Sequence, residues 1–308
     1  MVLAMSTRLP VRSLIAASLA GLCAAAALAS GPGGIIGHWA LDEPAGAIMY
    51  DTSGNGNNGL FPQYLPRVAG VSDLAAQLGM GYAIVNDNPS LNPVNAITIS
   101  AWYRATIPWA GAGNDPIVDK PYVCHCGAPY YQYHLGVTGT EYGVAPRSIS
   151  FTTAGGGSVT SPPGIFELGE WHHYVATSDA NASRLYVDGT LVATGPGTGP
   201  IPSYGRPIYI GRYGNLLIYL QGNVDEIQIY DRALTCREVK YLHEHPGSHL
   251  LTIDTTPADL DGDGVVGGSD LGILLGSWGP CAGDCGADLD CSGSVDGSDL
   301  GIMLGSWS

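Results

Sequence analysis

The feature that most limits what this chain can become is a duplication near its C-terminus. Residues 259–270 read DLDGDGVVGGSD and residues 288–299 read DLDCSGSVDGSD, an offset of 29. The flanks repeat as well, with Asp270-Leu271-Gly272-Ile273 matching Asp299-Leu300-Gly301-Ile302 and Leu275-Gly276-Ser277-Trp278 matching Leu304-Gly305-Ser306-Trp307. Such a unit is a supersecondary element that buries its apolar face against its copy. The oxygen-bearing side chains fall where a calcium loop needs them. In the first loop Asp259, Asp261 and Asp263 stand at positions 1, 3 and 5, the Val265 carbonyl at 7 and Asp270 at 12, with Gly264 at the sharp turn. In the second, Asp288, Asp290, Ser292, the Ser294 carbonyl, Asp296 and Asp299 take those parts around Gly293. Behind the loops, Leu271, Leu274, Leu275 and Trp278, then Leu300, Met303, Leu304 and Trp307, recur at helical spacing, so two short amphipathic helices are expected to pack face to face. Helices this short need partners. Ca2+ is the expected cofactor, because it would neutralise eight loop carboxylates in a tail without Lys or Arg.

The remaining chain has the opposite character. From Gly34 to about His245 short runs such as Ile97–Tyr103, Ser148–Phe151 and Pro207–Ile210 alternate or are Ile-rich, and Gly, Pro, Asn and Asp bound them. Arg184–Val187 and Thr190–Ala193 flank Asp188-Gly189, the signature of a two-residue hairpin. Gly155-Gly156-Gly157 reads as another hairpin tip, and Arg232–His243 as the one helical segment there. Short strands with almost no helical period indicate an all-β, two-sheet antiparallel sandwich in one domain. The expected division is a signal peptide at residues 1–29, the sandwich at 31–247, a linker at 248–256 and the calcium-loop tail at 257–308.

The signal peptide rests on Arg8 and Arg12, the apolar stretch Leu14–Leu28 and the Ala27-Leu28-Ala29 triplet. That stretch is shorter than a membrane span, so the expectation is a secreted, extracellular or cell-surface protein without membrane insertion. Removing the signal leaves 10 basic against 27 acidic residues, a charge of −17, which argues against nucleic-acid partners. Six cysteines then remain as disulfide candidates, Cys124, Cys126, Cys236, Cys281, Cys285 and Cys291. Three precede residue 250 and three follow it, so complete pairing requires a bridge between the halves. Cys124-His125-Cys126 has too few intervening residues for the usual zinc spacing.

Four blocks, HWALDEPAGAIMYDTSGNGNNG, ITISAWYRA, WHHYVATSDANASRLYVDGTLV and GNVDEIQIYDRALTCREVKYL, make residues 31–247 resemble the laminin-G-like branch of the concanavalin A-like lectin/glucanase superfamily. The resemblance implies a jelly-roll sandwich, an inward Trp171 in Trp171-His172-His173, and lectin, adhesion or glycosidase activity. It also suggests a calcium near the domain's termini, for which Asp51, Asn55 and Asp225 are the oxygen-bearing candidates. Residues 257–308 resemble a type I dockerin, a small α-helical, EF-hand-type domain that implies a cohesin-like partner. This tail departs from dockerins in lacking Lys and Arg and in carrying Gly268-Ser269 and Gly297-Ser298 at loop positions 10 and 11.

A sandwich glucanase needs two carboxylates on one sheet face. Here Asp225 and Glu226 are adjacent, which in a regular strand sends them to opposite faces, so no catalytic residue is assigned. The resulting expectation is a non-catalytic carbohydrate-binding or adhesion module for a carbohydrate or glycoprotein ligand. Trp109, Tyr131, Tyr133 and Tyr213 are candidate stacking residues. The competing readings are a polysaccharide hydrolase or lyase on the same sandwich and a structural cell-surface protein.

Overall fold

The computed structural model describes residues 34–106, 114–122, 128–138, 148–165, 167–214, 216–250, 257–281 and 285–308. The expected signal peptide, Trp109, Cys124 and Cys126 lie outside them. In chain order the first strands are β1 (Ile35–Trp39), β2 (Ile48–Met49), β3 (Gly59–Leu60), β4 (Arg67–Ala69), β5 (Leu74–Gln77) and β6 (Ala83–Val85). Longer strands follow as β7 (Ile97–Ala105), β8 (Asn114–Pro121), β9 (Tyr131–Thr138), β10 (Ser148–Thr153) and β11 (Ser158–Thr160). Next come β12 (Trp171–Ser178), β13 (Ala182–Val187), β14 (Thr190–Pro196), β15 (Ile208–Ile210), β16 (Gly222–Tyr230) and helix α1 (Cys236–Glu244).

These strands form two antiparallel sheets of a jelly-roll sandwich. Sheet A runs β14-β13-β12-β7-β16-β5-β4 with β1 also on β16, and sheet B runs β11-β10-β9-β8-β15-β6-β3-β2. Alternation builds the core between them: Ile97, Ile99, Ala101 and Tyr103 of β7 face Tyr133, Leu135 and Val137 of β9 in one buried cluster. The β13–β14 turn is the expected two-residue hairpin, with Asp188 at φ 50° and Gly189 at φ 77°, both left-handed.

The outer face of sheet A carries a second cluster of Ile35, Val175, Tyr186 and Tyr230 under α1. The helix begins because Thr235 accepts the Glu238 amide while the Glu238 carboxylate accepts the Thr235 amide, a reciprocal capping box. Arg232 clasps the same carboxylate through two 2.7 Å bonds. Val239 and Leu242 turn onto the sheet, and burying each contributes about 2 kcal/mol. Trp102 lies on this outer face, stacked on His173 and His243 at 4.9 and 5.5 Å. Trp171 does not point inward as the resemblance implied. It pairs with Arg104 in register and shares the outer face of His173, two residues on, where Arg104 lies 4.8 Å from its ring centre.

The tail holds α2 (Gly268–Gly276), β17 (Gly279–Pro280), β18 (Ser294–Val295) and α3 (Gly297–Gly305). Its core joins Leu274 and Met303 with Ala258, Val266, Ala287, Leu289 and Val295. The expected face-to-face packing is narrower than the helical spacing suggested, since Leu275, Trp278, Leu304 and Trp307 are each about half exposed. Each short helix fully buries one apolar side chain, Leu274 or Met303, beside its closing acid, Asp270 or Asp299.

Candidate functional site

The outer face of sheet B is the first candidate. Cross-strand pairing lines up Thr152, His134, Asp119, Tyr209, Ile84, Leu60 and Ile48 in one row across the strands. Tyr209 sits between the core residues Ile208 and Ile210, and Tyr82 precedes core Ala83, so both rings point outward. The segment after β15 folds back through an Arg212–Tyr219 bridge and brings Tyr219 alongside. The Arg212 guanidinium lies 4.6, 5.7 and 5.8 Å from the ring centres of Tyr82, Tyr209 and Tyr219. Three aromatic rings around one cation, on the row that continues through exposed Leu60 and Ile48, present apolar area with polar edges. Burial pushes the Tyr209 hydroxyl upward in pKa, so it stays protonated and able to donate. The signal for this cluster was Tyr209 between two Ile residues of a short strand and Tyr82 just before another. Their meeting with Arg212 depends on a chain reversal that no local pattern encodes.

The stacking residues expected from the sequence are placed differently. Tyr133 is fully buried in the core with its hydroxyl donated to Leu91 O at 3.2 Å, so it is not a surface platform. Burial holds that hydroxyl well above its ordinary pKa. Tyr131 is also buried, stacked 4.4 Å from His134, and its hydroxyl meets that of half-buried Tyr213. Beneath them His134 Nδ1 lies 3.3 Å from Asp119 Oδ1, while Asp119 Oδ2 accepts the Gly214 amide. This buried network anchors the 211–221 segment next to the tyrosine cluster.

On sheet A the sequence expectation for Asp225 and Glu226 is overturned. A bulge interrupts the β16–β7 register between Asp225 and Gln228, and Glu226 takes φ 49°. The extra residue brings Glu226 to the same outer face as Asp225. Glu226 Oε2 lies 2.6 Å from His38 Nε2, and His38 Nδ1 lies 3.3 Å from His249 Nδ1. Asp225 accepts the amides of Val71 and Ser72, and burial pushes its carboxyl up to about 8 with a further rise from Glu226. Both carboxylates are buried.

The candidate calcium set Asp51, Asn55 and Asp225 makes hydrogen bonds within the sandwich. Asp51 accepts the amides of His38, Ser53 and Asn57, and the Asn55 side chain donates to Ile35 O, whereas Asp225 binds the 71–72 backbone. Among the described residues, the converging groups of three or more acidic, His or Cys ligands are both in the tail. They are Asp259, Asp261 and Asp263 in the first loop, and Asp288, Asp290 and Asp299 in the second, with ligand oxygens within 4.8 Å of one another.

The loop backbone is already wound around these oxygens. Asp259 accepts the amides of Gly262, Asp263 and Gly264, and Asp288 accepts those of Ser292 and Gly293. Asp270 accepts from Gly267, Leu260 and Asp261, as Asp299 does from Asp296, Leu289 and Asp290, so each closing acid ties its loop to its helix. Those amides, the Gly267 one foremost, hold the Asp270 carboxyl below the usual range. Burial raises that of Asp288. The donors are all hard oxygens without imidazole or thiolate, which fits calcium rather than zinc.

Two disulfides complete the described tail. Cys281 pairs with Cys285, and Cys236 at the start of α1 pairs with Cys291 in the second loop, joining the two halves of the chain. Beside that bridge a cleft of about 650 Å³ lies between the β13–β14 turn, α1 and the second loop.

Comparisons with known proteins place the fold. The chain matches domain 4 of AbnA, a GH43 extracellular arabinanase from Geobacillus stearothermophilus solved with arabinotriose, at TM-score 0.53 and 15% identity over 69% of this chain and 99% of that one. It also matches the binding domains of Paraclostridial Mosquitocidal Protein 1 (TM-score 0.51, 17% identity, 68% of this chain) and botulinum neurotoxin serotype G (TM-score 0.53, 13% identity, 68%). It covers 52% and 50% of those two chains, about half of each. No curated protein sequence matches significantly. The profile described as Laminin_G_3, Concanavalin A-like lectin/glucanases superfamily, matches residues 78–240, more than half of the chain. The chain therefore belongs to the Laminin_G_3 family of that superfamily.

Proposed function

We propose that this is an exported, non-catalytic carbohydrate-binding protein whose sandwich holds a glycan on the outer face of sheet B and whose tail, loaded with calcium, docks a protein. The observation that carries the reading is the Tyr82, Tyr209 and Tyr219 cluster around Arg212. Tyrosine faces stack on the apolar face of a sugar ring while hydroxyls and the guanidinium orient its polar groups. The arabinotriose complex of domain 4 of AbnA is consistent with a glycan on such a sandwich. Asp259, Asp261, Asp263, the Val265 carbonyl and Asp270 would hold one calcium ion, and Asp288, Asp290, Ser292, the Ser294 carbonyl, Asp296 and Asp299 the other. Calcium supplies charge neutralisation to carboxylates that otherwise repel one another. Exposed Leu275, Trp278, Leu304 and Trp307 give the tail an apolar surface suited to a cohesin-like partner.

Glycan-array binding of the whole secreted chain tests the sandwich. Tyr209→Ala is expected to weaken binding roughly tenfold to a hundredfold, the loss of about 1–3 kcal/mol of stacking and burial. Incubation with the bound polysaccharides should release neither reducing ends nor unsaturated products. Turnover that survives Tyr209→Ala but is lost in Asp225→Asn or Glu226→Gln would replace this reading with the hydrolase or lyase one, since the bulge sets those two carboxylates on one face.

A further inference from the structure

The two loops of the tail are copies in sequence, yet they differ at position 4. Gly262 occupies it in the first loop at φ 76°, a left-handed conformation that suits glycine. In the second loop the same position is Cys291, held at φ 54°. A side chain with a Cβ is disfavoured there, so the exchange needs a reason beyond loop geometry. Its sulfur provides one through the bond to Cys236, the first residue of α1.

The surroundings of the loops differ in the same sense. Cys291 packs against the sandwich cluster of Val175, Tyr186, Val239 and Leu242, not against the tail's own core. Arg237, next to the bridge on α1, donates to Gly286 O. Asp288 is buried and Asp290 half-buried, whereas their counterparts in the first loop, Asp259 and Asp261, are half-buried and exposed. Among the described residues, it is the second loop that is bonded to the sandwich and packed on it.

Resting on the calcium reading of the loops, we infer that they have different roles: the second is a calcium site of the sandwich itself, coupled to it through Cys236–Cys291 and α1, and the first serves the tail alone. Anything that binds the native state stabilises it, and a covalent path through a capped helix carries that gain from the second loop to sheet A. The coupling is reciprocal, so the bridge also raises the calcium affinity of the second loop.

The test uses the full chain. Calcium titration by calorimetry gives the number of ions, and scanning calorimetry gives the melting of the sandwich with calcium and with chelator. The wild-type protein is expected to bind two ions and to gain about 5 °C or more in sandwich Tm at a hundredfold excess over Kd. Asp290→Ala should remove that gain, and Asp261→Ala should leave it. Cys236→Ser with Cys291→Gly, which gives the second loop the residue of the first, should still bind two ions but lose the gain in sandwich Tm. Equal effects of the two aspartate variants, or an undiminished gain without the bridge, would overturn the inference while leaving calcium binding in place. Binding of no ion would remove the calcium reading and the inference together.

Discussion

His173 makes the sandwich acid-labile, and the size of the effect follows from its surroundings. The ring is 1% exposed, packed against both Trp102 and His243, with Nε2 2.8 Å from Ser100 Oγ. Burial, reinforced by the neighbouring His243, lowers its pKa from 6.5 to about 3. The folded protein therefore refuses a proton that the unfolded chain accepts. Above pH 6.5 this has no consequence, but below it each pH unit removes about 1.4 kcal/mol until the folded pKa is reached. The loss amounts to about 3 kcal/mol at pH 4.5 and approaches 5 kcal/mol at pH 3. Urea unfolding in chelator at pH 7.5, 6.5, 5.5 and 4.5 measures it. The comparison is His173→Phe combined with Ser100→Ala, which keeps the ring stack and leaves no orphaned hydroxyl. Other titrating groups act on both proteins alike, so the difference between the two curves isolates His173. If the stability of the wild-type protein relative to the variant stays constant between pH 6.5 and 4.5, the imidazole is not held neutral and the argument fails.

Two further outcomes concern the frame that carries the sites. Thr235→Ala breaks the capping box of α1 and should lower stability by about 1–2 kcal/mol, read from the urea midpoint at constant m-value. Gly195→Ala places a Cβ against the carbonyl oxygen of Ser158, which is backbone and cannot swing aside, so a loss of about 2 kcal/mol or more is expected in thermal unfolding. A neutral result there would mean that β11 and β14 are not in close contact.

The parts of the fold legible in the sequence are those with a local cause. Asp188-Gly189 announced its hairpin because its neighbours alternate and both residues tolerate positive φ. The acidic clusters of the tail were legible because their carboxylates recur at fixed spacing in two copies. Features made by distant chain segments were not. The Asp225–Glu226 bulge is a register event between β16 and β7, invisible in either strand alone, and it reverses the expectation that the two acids diverge. Tyr131 and Tyr133 looked like surface aromatics because tyrosine is ambivalent, and the strand's seat beneath the 211–221 segment and in the core decides against it. The need for a bridge between the halves followed from counting cysteines, but its choice of Cys236 and Cys291 depends on the second loop docking on α1.

The meeting of β11 and β14 also bears on how such a protein stays separate from its own copies at high concentration. An open sheet ends in unpaired backbone groups that can recruit another chain into a growing ribbon. On one side of this sandwich the rims of the two sheets are drawn together at Gly195 and Ser158, and the Gly199 amide donates to Gly155 O, so that margin is folded against itself. On the other side the terminal strands are stubs, Arg67–Ala69 and Ile48–Met49, with the Arg67 guanidinium lying over the Phe61 ring. Neither margin offers the long, flat run of amides that templated polymerisation requires. The same closure keeps both margins from competing with the outer surface of sheet B, the face proposed above to hold a glycan.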